Sequence, residues 1–273
     1  MRFAHPERDE QLELALEDVF LLPDYFDGVS RLDVSLAPDD FRGGSQPIVS
    51  ANMNAVTGKR MAETMARLGG LGVLPQDMRL ETVERIVGHI RGAHPRFDTP
   101  LTVAPDATLR DVHGLLRKRS HGMVVVVDEH HRPLGVVTSS DLEGRDQYTA
   151  VARVMSTEMV TLPSDVSNAD AFAAVHQARV KAAPVLDADG KLVGILGRED
   201  PVRAELLRPS LDDGERLLVA AAVGISSSAV DRAVALVELG VTCVVVDTAH
   251  GHQRRMLEVL AKVREATKGR VPI

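Results

Sequence analysis

Cysteine is almost absent: Cys243 is the one thiol in 273 residues. A single thiol forms no internal disulfide and no multi-thiolate metal site, which fits a reducing compartment. Aromatic side chains are scarce too, with two Tyr, six Phe and no Trp, and no basic run interrupts a net charge of −7. A chain without a cationic face or stacking side chains lacks what a nucleic-acid partner requires. No apolar run reaches the ~20 residues of a membrane span, and Met1-Arg2-Phe3-Ala4-His5-Pro6 has no hydrophobic signal core behind it. The expectation is a cytoplasmic chain with neither membrane nor nucleic acid as partner. What is present is the balance of a globular protein, 44% hydrophobic and 26% charged, which excludes a disordered chain or a coiled coil. At roughly 150 residues per domain, the length fits about two domains.

Residues 47–90 alternate between short apolar runs and amphipathic stretches, the pattern of βα units on a parallel sheet. The pattern predicts a buried strand over 47–51. After Gly58 it predicts a helix with Met61, Met65 and Leu68 on its apolar face and Lys59, Arg60, Glu63 and Arg67 elsewhere, stopped by Gly69-Gly70. A strand over 71–74 and a helix with Leu80, Val83, Ile86, Val87 and Ile90 inward follow. From 217 the same regime resumes. It predicts strands over 217–223 and 241–246, a helix over 227–239 with Val230, Ala233, Val234 and Val237 inward, and another over 253–266 with Met256, Leu260 and Val263 inward. Val271-Pro272-Ile273 reads as the opening of a fifth strand.

Between these regimes lie two copies of one unit at a constant offset. Thr102 recurs as Thr161, Asp106 as Asp165, Asp111 as Asp170, Val126 as Val185, Asp128 as Asp187, Gly135 as Gly194 and Asp141 as Asp200. Each copy predicts a Thr-bearing apolar stretch, a helix, a strand (123–127, 182–186), a polar turn, a second strand (134–138, 192–197) and a closing helix. The fold class is therefore α/β, half of a (β/α)₈ barrel interrupted by a repeat pair. Residues 1–92 and 209–273 supply two βα units each, and 93–149 and 150–208 are the two copies. Half a barrel cannot close, so two apolar edge strands would face water or another chain. The expectation is that the chain belongs to a longer protein or finds its missing half elsewhere.

Function in such barrels gathers at the C-terminal strand ends, and all four ends here are polar or expose backbone. They are Ala51-Asn52-Met53-Asn54, Pro75-Gln76-Asp77, Gly224-Ile225-Ser226 and Asp247-Thr248-Ala249-His250-Gly251-His252. Asp247 is delivered to its strand end by three valines, where its carboxylate could accept both hydroxyls of a ribose; the structural alternative is that it caps the next helix. Met53 offers a soft contact to a flat base, or fills core. His250 and His252 lack further ligands for a metal, and Cys243, with no cation nearby in sequence, reads as a buried structural thiol.

The stretch from Ser50-Ala51-Asn52-Met53-Asn54 through Gly58-Lys59-Arg60-Met61-Ala62, with Ala221-Ala222-Val223-Gly224 and Val246-Asp247-Thr248-Ala249-His250-Gly251-His252, resembles the inosine monophosphate dehydrogenase and GMP reductase family. The repeat pair resembles the tandem CBS module inserted in those dehydrogenases. The resemblance implies a TIM barrel and an IMP dehydrogenase-type purine-nucleotide oxidoreductase, with GMP reductase as the alternative. It places Ala51 and Met53 on the purine nucleotide. Asp247 falls on the nicotinamide-side ribose of NAD or NADP, with Gly224, Thr248 and Ala249 as further cofactor-binding residues. It also implies a thioimidate formed by a loop cysteine, a monovalent-cation site (K⁺) and a flap, all expected beyond Ile273, and a homotetramer. Asn52, Asn54 and Leu74-Pro75-Gln76-Asp77 depart from the common family pattern and leave the reaction direction open. In CBS modules a Ser/Thr-x-x-Asp run grips a nucleotide ribose. Thr138-Ser139-Ser140-Asp141 has it complete, and Gly197-Arg198-Glu199-Asp200 keeps only the carboxylate. The resemblance thus implies an adenine or guanine nucleotide effector at Thr138, Asp141 and Asp200; capping by Thr138 or Asp141 is the structural alternative.

Overall fold

The computed structural model describes residues 43–273 without a break and, before them, residues 17, 19, 20, 22–25, 27–39 and 41. The segment 1–6, read above for a signal core, lies outside the described residues. Residues 1–36 form a unit of their own. Its described part holds one 3₁₀ turn, Arg31–Asp33, in which the Asp33 carboxylate accepts from the backbone N–H groups of Val29 and Ser30. Among the described residues no helix is long and apolar enough to cross a membrane.

In chain order the elements of the second unit are β1 (Val49–Ser50), α1 (Lys59–Arg67), β2 (Leu71–Leu74), α2 (Leu80–Gly92), β3 (Thr102–Val103), α3 (Leu109–Leu116), β4 (Met123–Val127), β5 (Pro133–Thr138), β6 (Leu162–Pro163), α4 (Asn168–Gln177), β7 (Ala182–Leu186), β8 (Leu192–Gly197), α5 (Asp200–Leu206), β9 (Ala220–Val223), α6 (Ala229–Glu238), β10 (Cys243–Val246) and α7 (Arg254–Thr267). Strands β1, β2, β9 and β10 make one parallel sheet in that order, so β2 pairs with β9 across the whole intervening repeat. Strand alternation splits its side chains between two layers. Leu74, Ala221, Val223 and Val244 pack against α2, α6 and α7, while Leu71, Val73, Ala220, Ala222 and Cys243 face the other side with Phe41. Val244 N–H donates to Pro272 O, 3.0 Å, which lays the final segment beside β10.

Several expectations need correction. The strand over 47–51 shrinks to two residues, and Ile48 and Val49 are exposed because β1 is an edge with nothing among the described residues paired on its far side. Helix α1 does not bury Met61 and Leu68; it buries Ala62, Ala66 and the charged Glu63. The cause is Gly72, where a Cβ would lie 2.4 Å from Ala62 Cα, so helix and strand meet at backbone distance and only alanine fits between them. Gly72→Ala is expected to cost about 1–3 kcal/mol by overpacking, read as a drop in the urea midpoint. In α6 and α7 the expected Ala233 and Val263 are buried and Val230 and Val237 pack against the same core; Leu236 and Val259 join it, while Val234, Met256 and Leu260 are half-buried.

The two copies pair their strands in matching order and register. Met123 faces Thr138 as Ala182 faces Gly197, and both antiparallel pairs carry a bulge at the same step. Most of the repeated aspartates build this fold. Asp111 and Asp170 belong to the N-caps of α3 and α4, opposite Thr108 and Ser167. Asp128 and Asp187 hold the polar turns through backbone N–H groups of residues two and four positions ahead. The closing helix of the first copy is only a 3₁₀ turn, Ser139–Leu142. The copies also exchange their leading segments. Asp98, at the head of the first copy, bridges to Ile195 of β8, and Ser156, at the head of the second, bridges to Val136 of β5. Gly135 and Gly194 permit this approach, since a Cβ on them would lie 2.9 Å from Met155 Cγ and 2.4 Å from Phe97 Cβ.

Candidate ligand site at the strand ends

Parallel pairing puts the C-terminal ends of β1, β2, β9 and β10 on one side of the sheet, and the residues just beyond them enclose a cavity of about 610 Å³. Its centre is Asp247, the first residue after β10, whose N–H is fixed to Val223 O at 2.8 Å. Asp247 Oδ2 accepts from Asn52 Nδ2 at 2.8 Å and from Gln76 Nε2 at 3.2 Å. Among the described residues no donor is bonded to Oδ1. One carboxylate oxygen is thus held by amides from two other strand ends, and the second remains available to a donor in the cavity. Helix α7 begins at Arg254 with Gln253 as its cap, so Asp247 is not a helix cap. Gly224 leaves room for this arrangement: a Cβ on it would lie 2.4 Å from Gln76 Oε1 and displace that amide.

The turn after β1 is rigid. Val56 and Thr57 donate backbone N–H groups to Met53 O at 2.9 Å, and the buried Thr57 hydroxyl bonds Ala51 O at 2.6 Å. Met53, a residue 58% exposed, is thereby held at the cavity, and Asn54 Nδ2 is bonded to Asp77 Oδ2 at 2.7 Å. Arg232 of α6 also lines the cavity. Its Nη2 donates to Met78 O, 2.5 Å, and its buried Nε has no partner among the described residues. Burial pulls the guanidinium below its ordinary value, opposed by the nearby Asp77 charge.

Met53, Gly224 and Asp247 therefore meet at one site, whereas Ala51, Thr248 and Ala249 do not line it. Ala51 serves the turn, and Thr248 Oγ1 accepts from Gln253 Nε2 at 3.0 Å. His250 and His252 are exposed on the same loop, and Cys243 is buried inside β10. In the repeat pair, Asp141 Oδ2 accepts from Thr138 N and Oγ1, and Asp200 Oδ2 accepts from Gly197 N at 2.6 Å, so both carboxylates brace their own turns. Asp200 also lines a second cavity of about 640 Å³, which Thr138 and Asp141 do not. Burial raises the Asp200 carboxyl above its usual range against the opposing bond from Gly197. The roles of Gln76 and Arg232 were not read from the sequence. Gln76 carries the signal that singled out Asp247, a polar group at a strand end, while the partner of Arg232 lies far along the chain and leaves no local pattern.

A parallel α/β sheet whose polar strand ends share one cavity defines the barrel-type class of ligand-binding proteins. A family model described as "IMP dehydrogenase / GMP reductase domain" matches residues 13–273, and the chain belongs to this family of oxidoreductases. It is 41% identical over 251 residues to a GMP reductase of Mycobacterium tuberculosis, covering 92% of this chain and 52% of that protein. It is 34% identical over 261 residues to an inosine-5'-monophosphate dehydrogenase of Aquifex aeolicus, covering 92% of this chain and 53% of the relative. A solved GMP reductase of Trypanosoma brucei in complex with guanosine 5'-triphosphate matches with a TM-score of 0.61 and 29% identity, over 92% of this chain and 63% of that one. The same enzyme type from that organism, solved with guanosine 5'-monophosphate, gives 0.59 and 30%, over 89% and 53%. The chain spans about half the length of the curated relatives it matches.

Proposed function

We propose that this chain supplies the nucleotide-binding half of a purine-nucleotide oxidoreductase working in the GMP reductase direction, with IMP dehydrogenase activity as the alternative. The observation that carries the reading is Asp247, one oxygen fixed by Asn52 and Gln76 and the other available at the cavity. Higher identity to the mycobacterial GMP reductase than to the Aquifex dehydrogenase supports the direction. In that reaction the 2-amino group of GMP leaves as ammonia and is replaced by hydride, which NADPH supplies when bound. Asp247 accepts the hydroxyls of the nicotinamide-side ribose, Asn52 and Gln76 orient its carboxylate, and Met53 lies against the purine. The single thiol, Cys243, sits in β10 among Ala220 and Ala222 and does not line the cavity. The residues present bind and orient, and no thiol among them reaches C2.

Two outcomes follow. The purified 273-residue chain consumes no NADPH with GMP and forms no NADH from IMP; turnover in either assay contradicts this. In calorimetric titration, Asp247→Ala weakens NADPH about 10- to 100-fold, the worth of a charged hydrogen-bond acceptor. Equal affinity in wild type and variant would remove the assignment.

The repeat pair, 93–208, is read as a tandem CBS module that binds a purine nucleotide. The observation favouring this is that Asp200 lines a cavity alongside Lys181, Arg198 and Arg203. A homo-oligomeric assembly is proposed with it, by family likeness.

A further inference from the structure

The turn that carries Gln76 to Asp247 is held by few bonds of its own. Pro75 O accepts from Met78 N–H at 3.4 Å, which closes a four-residue turn with Gln76 and Asp77 at its corners. Both corner side chains reach across the rim: Gln76 Nε2 donates to Asp247 Oδ2 after β10, and Asp77 Oδ2 accepts from Asn54 Nδ2 after β1. Gln76 and Asp77 are exposed, so water competes for both bonds. An exposed side chain keeps one partner at the least entropic cost where its backbone is already fixed.

That fixation comes from α6. Arg232, the fourth residue of the helix, donates from Nη2 to Met78 O at 2.5 Å. Its Nε is buried and has no partner among the described residues, and the Asp77 charge acts on the guanidinium without an ion pair. Taking a guanidinium out of water costs free energy that one carbonyl bond offsets only in part. Stapling a loop to a helix does not demand this cost: Arg255 of α7 makes the same kind of bond, Nε to Ile225 O at 2.8 Å, while exposed. What sets Arg232 apart is its place in the cavity wall beside Gln76, Asp77 and Asp247.

We infer that Arg232 is a positioning residue of the strand-end site: its hold on Met78 O keeps the 75–78 turn where the Gln76 amide reaches Asp247 Oδ2, which leaves Oδ1 to the ligand. The consequence for the ligand rests on the reading of Asp247 as the acceptor of a ribose of NADPH. The placement of Gln76 does not.

The test reads both parts in the full 273-residue chain. In heteronuclear NMR spectra the Gln76 side-chain amide signal, assigned through its loss in Gln76→Ala, moves when Asp247→Asn removes the charge it bonds. Arg232→Met, which keeps the packed stem and removes the guanidinium, moves that signal to the position of a freely solvated glutamine amide. Should Arg232→Met fail to fold, Arg232→Lys is read in its place, with a smaller movement in the same direction, because a compact, strongly hydrated ammonium replaces the planar fork. In calorimetry Arg232→Met weakens NADPH about three- to tenfold. Added to Gln76→Ala, the same substitution weakens it no further, although it lowers the urea midpoint in both backgrounds. A residue that only props the fold would lower the midpoint and leave the Gln76 signal in place, or would weaken NADPH equally with and without Gln76; either result overturns the inference. If the wild type binds no NADPH while the Gln76 signal still moves in Arg232→Met, the ribose reading of Asp247 falls and the positioning of Gln76 by Arg232 stands.

Discussion

Replacing Glu63 with alanine lowers stability by about 3–5 kcal/mol, because it leaves two buried guanidiniums with Asp98 as their one remaining shared carboxylate among the described residues. The loss is read as a reduced urea midpoint at neutral pH, and a loss below about 1 kcal/mol, the range of an exposed pair, would contradict it. The same group gives a signed pH dependence. Burial by itself raises its pKa, but the Arg119 hydrogen bond, the Arg67 charge and the Thr99 hydroxyl outweigh burial and hold it at about 2, against an ordinary value of 4.5. A carboxyl depressed in the folded state stabilises fully above its unfolded pKa. The contribution is therefore complete above about pH 4.5 and is lost as pH falls toward 2, an effect on the order of 3 kcal/mol. Glu63→Gln flattens the acid limb of the stability profile across that window.

Phe97→Ala has an effect of similar size from a different cause. Phe97 belongs to the leading segment of the first copy yet lies fully buried in the core of the second, with Leu162, Ala171, Val175, Val185 and Leu196. Its removal leaves a cavity between β8 and the exchanged segment, costing about 3–5 kcal/mol. The consequence is local in a testable way: amides of β7 and β8 lose exchange protection, including Ile195, whose N–H donates to Asp98 O at 2.9 Å. Protection confined to its former level in β8 would mean that the exchanged segment is not part of that core.

The order of elements was legible because periodicity and repetition are local properties. Val83, Ile86, Val87 and Ile90 announce the buried face of α2, and both copies show the same offset through their caps and turns. What escaped depended on partners distant in sequence. Met61 and Leu68 look like the core face of α1, yet the bare backbone at Gly72 admits only Ala62 and Ala66, which rotates Glu63 inward. Burial of Glu63 makes sense only once Asp98, Thr99 and Arg119 are beside it. Gly135 and Gly194 were visible as a repeated pair, but their reason is the segment that crosses from the other copy. At the strand ends, Met53 and Asp247 could be named because each lies within three residues of its strand's end; the amides that aim Asp247 come from two other strand ends and are chosen by packing.

The most direct measurement is a crystal structure of the chain with NADPH. Everything proposed for the strand-end cavity predicts the nicotinamide-side ribose hydroxyls within hydrogen-bond distance of Asp247 Oδ1, with Asn52 and Gln76 still on Oδ2. A dinucleotide seated elsewhere, with Asp247 facing only solvent, would contradict it.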